Sequence, residues 1–195
     1  MYSKRNALSV LIVSASAQAE QYLRALLPAG RYSPVQTAKD AGEARRLLLG
    51  QPFDIVLINT PLPDEFGTQL AVDLSEEQTA GVLLFVKGDV YEQVSDKLTD
   101  YGVLTLARPG NRQSIQQTIQ LLTAMRMRLK SLEQKTRSLE VKMQEIRIVN
   151  RAKWLLIDRL QMSEQEAHKY IEKTAMDSCC QRLQIAEDII KTYDR

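Results

Sequence analysis

Short apolar runs alternate with amphipathic stretches over the first 110 residues of the chain. Five of these runs have the length of buried strands: Leu8–Val13, Pro34–Thr37, Asp54–Asn59, Gly81–Val86 and Val103–Leu106. Near-continuous apolar strands separated by helical stretches are typical of a parallel sheet that is covered by helices on both faces. Asp40 is suited to be the N-cap of one such helix, which would run to Leu49. The pattern therefore predicts an α/β domain over residues 1–120, a (βα)5 unit with a doubly wound parallel sheet.

An apolar heptad follows in a region without proline or glycine, which extends from Asn111 to the last residue. One heptad position carries Leu122, Leu129, Thr136, Met143 and Asn150, and the other carries Met125, Leu132, Leu139 and Ile146. This register predicts a coiled-coil helix over residues 121–150, and a parallel homodimer would bury the stripe symmetrically. The polar Thr136 and Asn150 can fix the register. The alternative is an amphipathic helix that packs on its own domain.

Shorter helices are predicted after Asn150. Ser163 and Glu166 have the spacing of a capping box, which predicts a helix that ends near Asp177. A last apolar-periodic stretch begins at about Cys180. Together with the end of the long helix these pieces predict an all-α three-helix bundle over residues 135–195, which overlaps the coil.

Charge is distributed unevenly along the chain. Residues 1–125 contain 11 Lys and Arg against 13 Asp and Glu, whereas residues 126–195 contain 15 against 11. A polyanionic partner should therefore prefer the C-terminal third. We expect a cytoplasmic protein, since no secretory signal or membrane-spanning stretch is evident. The adjacent Cys179 and Cys180 are expected to be reduced and buried or half-buried, and His168, the one histidine, to lie at the surface without a metal role.

The segment from Asp54 to Gly67 resembles the third strand and following loop of receiver domains in two-component response regulators, which have a flavodoxin-like fold. The resemblance covers residues 7–125 and implies a phosphoacceptor site at the carboxyl ends of the strands. This sequence departs from the family at each expected position of that site. Asn59 replaces the phosphoacceptor aspartate, and Ser14 and Ala15 replace the acidic pair. Val86 and Lys87 stand where the family has Thr or Ser, and Arg108 replaces the lysine.

The chemistry of these departures excludes the usual reaction. An amide is not a nucleophile for phosphoryl transfer, and Mg²⁺ requires oxygen ligands, usually carboxylates. We therefore expect no aspartyl phosphorylation. This domain would serve as a dimerisation or docking scaffold, or keep a pocket for a protein or small-molecule regulator.

Four C-terminal segments together resemble the ANTAR module of transcription antitermination regulators. They are Ala152–Leu156, Met162–Ala167, Thr174–Asp177 and Ala186–Ile190, and the match covers residues 135–192. The resemblance implies a dimer that binds RNA hairpins in nascent transcripts and so prevents termination. Trp154 stands where the family usually has glycine, and Ile146, beside Arg147, where it often has arginine. In many relatives phosphorylation of the receiver drives dimerisation, a control that does not carry over to Asn59.

A basic-aromatic stripe supports nucleic-acid binding independently of the resemblance. Arg147, Arg151, Trp154 and Asp158 recur at helical spacing and so share one side of the helix. We call these four residues the Arg–Trp stripe. Guanidinium groups and an indole suit RNA loops, which offer phosphates and unstacked bases. Packing of Trp154 against a neighbouring helix or a dimer mate is the alternative. Further candidates for RNA contact are Lys153, Lys169, Lys173 and Arg182.

A DNA-binding response regulator is the first alternative to RNA binding. It would need a recognition helix after a tight turn, which commonly contains glycine, and the region from Asn111 onward has no glycine. A coiled-coil adaptor that binds only protein is compatible with the near-even charge of the tail. An enzyme is disfavoured because the sequence has no evident nucleophile–base set, metal cluster or phosphate loop, and no cofactor is expected.

Overall fold

The computed structural model describes residues 7–77 and 80–194, so the outer ends of the predicted domains, residues 1 and 195, lie outside the described residues. The chain divides into two compact units, Met1–Lys130 and Ser131–Arg195. The first unit therefore extends ten residues beyond the predicted boundary at 120.

The first unit is built on a five-stranded parallel sheet with the order β2-β1-β3-β4-β5. The strands are β1 (Leu8–Ser14), β2 (Tyr32–Ala38), β3 (Ile55–Asn59), β4 (Gly81–Lys87) and β5 (Leu104–Arg108). The helices between them are α1 (Ala17–Ala25), α2 (Ala41–Gly50), α3 (Thr68–Glu77) and α4 (Tyr91–Thr99). The predicted doubly wound α/β fold is thus confirmed.

Strand side chains alternate between two cores, one on each face of the sheet. Leu11 and Val13 point to the face covered by α2, α3 and α4. Val10 and Ile12 point to the other face, which α1 and the start of the long helix α5 (Arg112–Leu160) cover. Both faces are therefore closed by helices, as the near-continuous apolar strands require.

The predicted cap of α2 is confirmed. The backbone N–H of Glu43 donates to Asp40 Oδ1 at 2.6 Å, and the N-cap carboxylate stabilises the positive end of the helix dipole. The helix ends at Gly50.

The prediction that Leu122 lies on the coiled-coil seam is wrong. Its side chain is 3% exposed and packs with Ile115 and Ile119 in the core on the α1 face of the sheet. The heptad therefore loses its first member, because these three residues recur at intervals of four and three and form an apolar side of their own on α5. Met125, 48% exposed, is the first seam residue that this unit leaves open.

The second unit contains the C-terminal part of α5 with α6 (Glu164–Asp177) and α7 (Arg182–Tyr193). Its core consists of Ala152, Leu156, Ala167, Ile171, Ala175, Ile185, Ala186 and Ile189. The capping box at the start of α6 is confirmed, since Ser163 N–H donates to Glu166 Oε2 at 2.8 Å and Glu166 N–H to Ser163 Oγ at 3.3 Å. The predicted three-helix bundle is therefore present.

The two turns of this bundle are made without glycine. Gln161, after α5, and Cys179, after α6, adopt left-handed φ angles of 54° and 51°. Cys180 N–H then donates to the carbonyl of Ala175 at 3.0 Å, which satisfies a carbonyl at the end of α6.

In the part of the chain that the structure describes, none of the helices has an apolar stretch long enough to cross a bilayer.

Candidate functional site

The carboxyl edge of the sheet brings together the residues that replace a phosphoacceptor site. In the strand register Ser14 lies beside Asn59, and Lys87 lies beside Arg108. Asn59 Nδ2 donates to Ser14 Oγ at 3.0 Å, and both side chains are buried. Ser14 Oγ in turn lies 3.2 Å from the carbonyl oxygen of Ser16, to which it donates. The amide nitrogen and the hydroxyl are thus hydrogen-bonded to each other within the protein.

Arg108 closes the other side of this edge. Its guanidinium donates to the carbonyl oxygen of Thr60, the residue that follows Asn59, and burial lowers the pKa of Arg108. Thr60 Oγ1 donates to the carbonyl of Phe85 at 2.9 Å. Of the remaining predicted positions, Val86 is buried, whereas Ala15 and Lys87 are exposed. The cluster of Ser14, Asn59, Thr60 and Arg108, which we call the closed edge, contains no carboxylate.

Asp64, in the loop after β3, is bound to α2. Its carboxylate accepts from the backbone N–H groups of Ala41 at 3.0 Å and Gly42 at 2.9 Å. These hydrogen bonds lower the pKa of Asp64. The carboxylate is therefore a helix cap and is not available as a substitute for the missing acidic pair.

Asp54 lies at the opposite, amino end of β3 and forms a charge cluster that the sequence did not predict. Its Oδ1 accepts from Lys130 Nζ at 2.8 Å and lies 3.6 Å from the guanidinium of Arg126, while Oδ2 accepts from Ser9 N–H at 3.1 Å. Burial raises the pKa of Asp54, but the hydrogen bonds from Lys130 and Ser9 and the two positive charges outweigh burial and lower it. The cluster attaches α5 to the sheet. Arg126 and Lys130, one and two turns after Leu122, were the available signal in the sequence. Their partner Asp54, however, lies 76 residues away from Lys130.

The Arg–Trp stripe is exposed on α5 of the second unit. Arg147, Arg151 and Asp158 are open to solvent, and the side chain of Trp154 is 71% exposed. Ala152 and Leu156, on the other side of the helix, are fully buried. The four residues of the Arg–Trp stripe thus share one exposed side of the helix, as the spacing predicts, and Trp154 does not pack into its own bundle.

Carboxylates of the same unit contact three of the predicted RNA-binding residues. Arg151 is paired with Asp194, Lys153 with Glu164 at 3.2 Å, and Arg182 with Glu172 at 3.1 Å. The remaining candidates on α6, Lys169 and Lys173, are exposed one turn apart. The structure therefore places the candidates on more than one surface of the bundle.

A groove of about 880 Å³ is lined by residues between Glu145 and Lys153 of α5, by α6 and by the α6–α7 turn. Lys153, Arg182 and His168 line it together with Cys179 and Cys180. Both cysteines are free and exposed, so the prediction that they are buried or half-buried is wrong, because they occupy the turn after α6 and not a core-facing position. His168 is exposed as predicted and lies 3.4 Å from Glu172.

The seam residues Leu129, Leu132, Leu139, Met143 and Ile146 are exposed along α5. Leu139, at 61%, shows the largest exposure of these five. The seam thus presents a row of apolar side chains to solvent in the part of the chain that the structure describes. Val141, 53% exposed, lies outside the seam at the outer heptad position.

Known proteins are similar to this chain in both of its units. Residues 137–190 match the family described as the ANTAR domain. The transcriptional regulatory protein PdtaR of Mycobacterium tuberculosis (strain CDC 1551 / Oshkosh) is 26% identical over 187 residues, which cover 94% of this chain and 89% of the relative.

Solved receiver structures resemble the first unit. The signal receiver domain of an HD domain-containing protein from Pseudomonas fluorescens Pf-5 matches with a TM-score of 0.57 at 21% identity, over 67% of this chain and 96% of that one. The chemotaxis response regulator CheY4 of Vibrio cholerae matches with a TM-score of 0.52 at 21% identity, over 60% of this chain and 99% of that one. Residues 137–190 are therefore similar to ANTAR domains, and the first unit has the fold of receiver domains.

Proposed function

We propose that this protein is an RNA-binding transcription antitermination regulator. As a homodimer in the cytoplasm, it binds hairpins in nascent transcripts, and its receiver-like unit is not phosphorylated on aspartate. The observation that carries the proposal is the exposed Arg–Trp stripe within the ANTAR domain.

The chemistry of the stripe favours single-stranded loops of RNA. An exposed indole provides a flat surface on which an unpaired base can stack, and such stacking is worth about 1–3 kcal/mol per base. Arg147 and Arg151, four residues apart, can contact phosphates on the same side of the helix. Bases in a duplex are already stacked, so a paired nucleic acid would use the arginines and not Trp154.

The open seam on α5 supports the homodimer. Leucines, a methionine and an isoleucine remain about half exposed along several turns of this helix, so much of their apolar surface faces solvent. A second copy of the same helix would bury them against identical residues, with Asn150 paired across the seam to fix the register. Dimerisation would also bring two ANTAR domains to one RNA, which raises the effective concentration of the second contact.

The closed edge supports a receiver-like unit that works without phosphate. An amide stands at the acceptor position, and the acidic pair that would hold Mg²⁺ is replaced by Ser14 and Ala15. Without metal or lysine the charge on a transferring phosphoryl group would not be neutralised. Dimer formation would then be constitutive, and control would depend on abundance or on a protein or small molecule that binds this unit.

Fluorescence anisotropy of the full chain with RNA hairpins that share a stem and carry a randomised loop tests the proposal. We expect binding to a subset of loops, weakened by Arg151→Ala and by Trp154→Ala. Arg137→Ala is the matched control, since it removes an exposed arginine of the same helix from outside the stripe. Equal affinity for duplex DNA would favour a DNA-binding regulator, and no binding to either nucleic acid would favour a protein-binding adaptor.

A further inference from the structure

Asp194 is a carboxylate in an unfavourable place. It is the C-cap residue of α7, and its backbone N–H donates to the carbonyl of Ile190 at 2.9 Å, which fixes it at the end of the helix. The partial negative charge of a helix C-terminus disfavours an acidic side chain there. Contact with the guanidinium of Arg151 offsets this repulsion, across 43 residues of sequence.

Arg151 is also the arginine nearest to Trp154 on the Arg–Trp stripe, one turn away. Its side chain is 63% exposed and that of Asp194 38% exposed, so the pair is open to solvent and to a ligand. Exposed ion pairs are weak and are exchanged easily. A phosphate can therefore take the place of the carboxylate on the same fork of N–H donors.

We propose that Asp194 is an affinity-determining residue, which occupies the Arg151 guanidinium in place of an RNA phosphate and keeps binding through phosphate alone weak. This inference rests on the proposed RNA binding. A ligand that offers only phosphate exchanges one anion for another on Arg151. A loop that also stacks a base on Trp154 adds a contact that Asp194 cannot replace. The partner class is thus an RNA with unpaired bases, and a paired duplex is bound weakly.

Asp194→Asn tests the inference in the full chain, with the loop-randomised hairpins as probe at low salt. Asparagine keeps the shape of the side chain and removes its charge. We expect the affinity to rise by about two- to fivefold, the range that an exposed ion pair represents, and Asp194→Ala to raise it at least as much. Asp188→Asn is the matched control, because it removes the same charge from the same helix, where Asp188 faces Lys191 at 3.6 Å.

A double-mutant cycle distinguishes competition for Arg151 from a general change in charge. In an Arg151→Ala background, Asp194→Asn should no longer raise the affinity. An equal gain from Asp188→Asn, or a gain that persists without Arg151, would overturn the inference.

The two proposals can fail separately. If the wild-type chain binds hairpins and Asp194→Asn leaves the affinity unchanged, the role of Asp194 is refuted and RNA binding stands. If neither the wild type nor Asp194→Asn binds RNA, both proposals are refuted. Binding by Asp194→Asn alone would support a carboxylate that blocks the site.

Discussion

Asn59 at the closed edge and Trp154 on the Arg–Trp stripe are both departures from a sequence pattern. Asn59 stands where receiver domains have aspartate, and Trp154 where ANTAR modules usually have glycine. Asn59 is buried and donates to Ser14, whereas the indole of Trp154 is exposed. A buried polar group that has its partners within the chain stabilises a fixed structure, because breaking the bond would leave a donor or acceptor unsatisfied. An exposed aromatic group contributes little to folding and remains free for a ligand. Under the proposed function, Asn59 would therefore help to hold a fixed structure, whereas Trp154 would contact RNA.

The largest effect is expected from a charge on the seam. Leu139→Asp would place two carboxylates opposite each other in an apolar dimer interface, so the dimer Kd should rise by more than about a hundredfold. The fold of each unit should persist, since Leu139 is exposed within the chain. Light scattering over a concentration series measures the change.

Val141→Asp is the matched control for the seam, because this exposed apolar residue lies at the outer heptad position. A dimer that survives Leu139→Asp, or one that Val141→Asp also dissociates, would place the interface elsewhere on the chain.

Removing the buried carboxylate of the first unit should have the next largest effect. Asp54→Asn removes the buried carboxylate that accepts from Lys130 and Ser9, which should lower the free energy of unfolding by about 2–4 kcal/mol at neutral pH. Urea unfolding followed by circular dichroism measures the loss. Asp96→Asn, at an exposed position of α4, should leave stability nearly unchanged.

The pH dependence of the same pair of proteins checks the charge. Because the pKa of Asp54 is lower in the folded state, its stabilising contribution is present above the unfolded-state pKa and is lost as the pH falls through the folded-state pKa, below about pH 4. The difference between wild type and Asp54→Asn should therefore narrow in acid. A difference that stays constant down to pH 3 would assign the effect to packing.

A smaller effect, confined to RNA binding, is expected from the stripe. Trp154→Ala should weaken binding to the selected hairpin by about five- to a hundredfold, since one stacked base is lost, and should not alter the fold. Trp154→Phe keeps an aromatic face and should lose less. Equal losses for phenylalanine and alanine would indicate that the indole is needed for a hydrogen bond and not for stacking.

No effect is expected from restoring the acceptor alone. After incubation with acetyl phosphate and Mg²⁺, neither the wild type nor Asn59→Asp should gain the mass of a phosphoryl group, because Ser14 and Ala15 provide no carboxylates for the metal. Intact-protein mass spectrometry decides this. An adduct on Asn59→Asp would show that the single amide is what prevents phosphorylation.

The sequence predicted the features that depend on local patterns. Apolar runs gave the five strands, Asp40 and Ser163 gave helix starts, and helical spacing gave the exposed stripe. These depend on residues within a few turns of one another, where periodicity and capping rules apply.

The features that the sequence did not predict depend on contacts between residues far apart in the chain. Leu122 fits both the heptad and the side of α5 that packs on the sheet, and only the folded unit decides between them. The partners Asp54 for Lys130 and Asp194 for Arg151 are likewise set by tertiary structure, since many other carboxylates in the chain could have served.

The most direct test measures the affinity of the unmodified full chain for a selected RNA hairpin before and after treatment with acetyl phosphate and Mg²⁺. It asks whether the Arg–Trp stripe binds RNA without control by phosphorylation at the closed edge. We predict binding without the phosphodonor and the same Kd with it. Binding that arises only after treatment, or no binding to RNA under either condition, would contradict this division of roles between the two units.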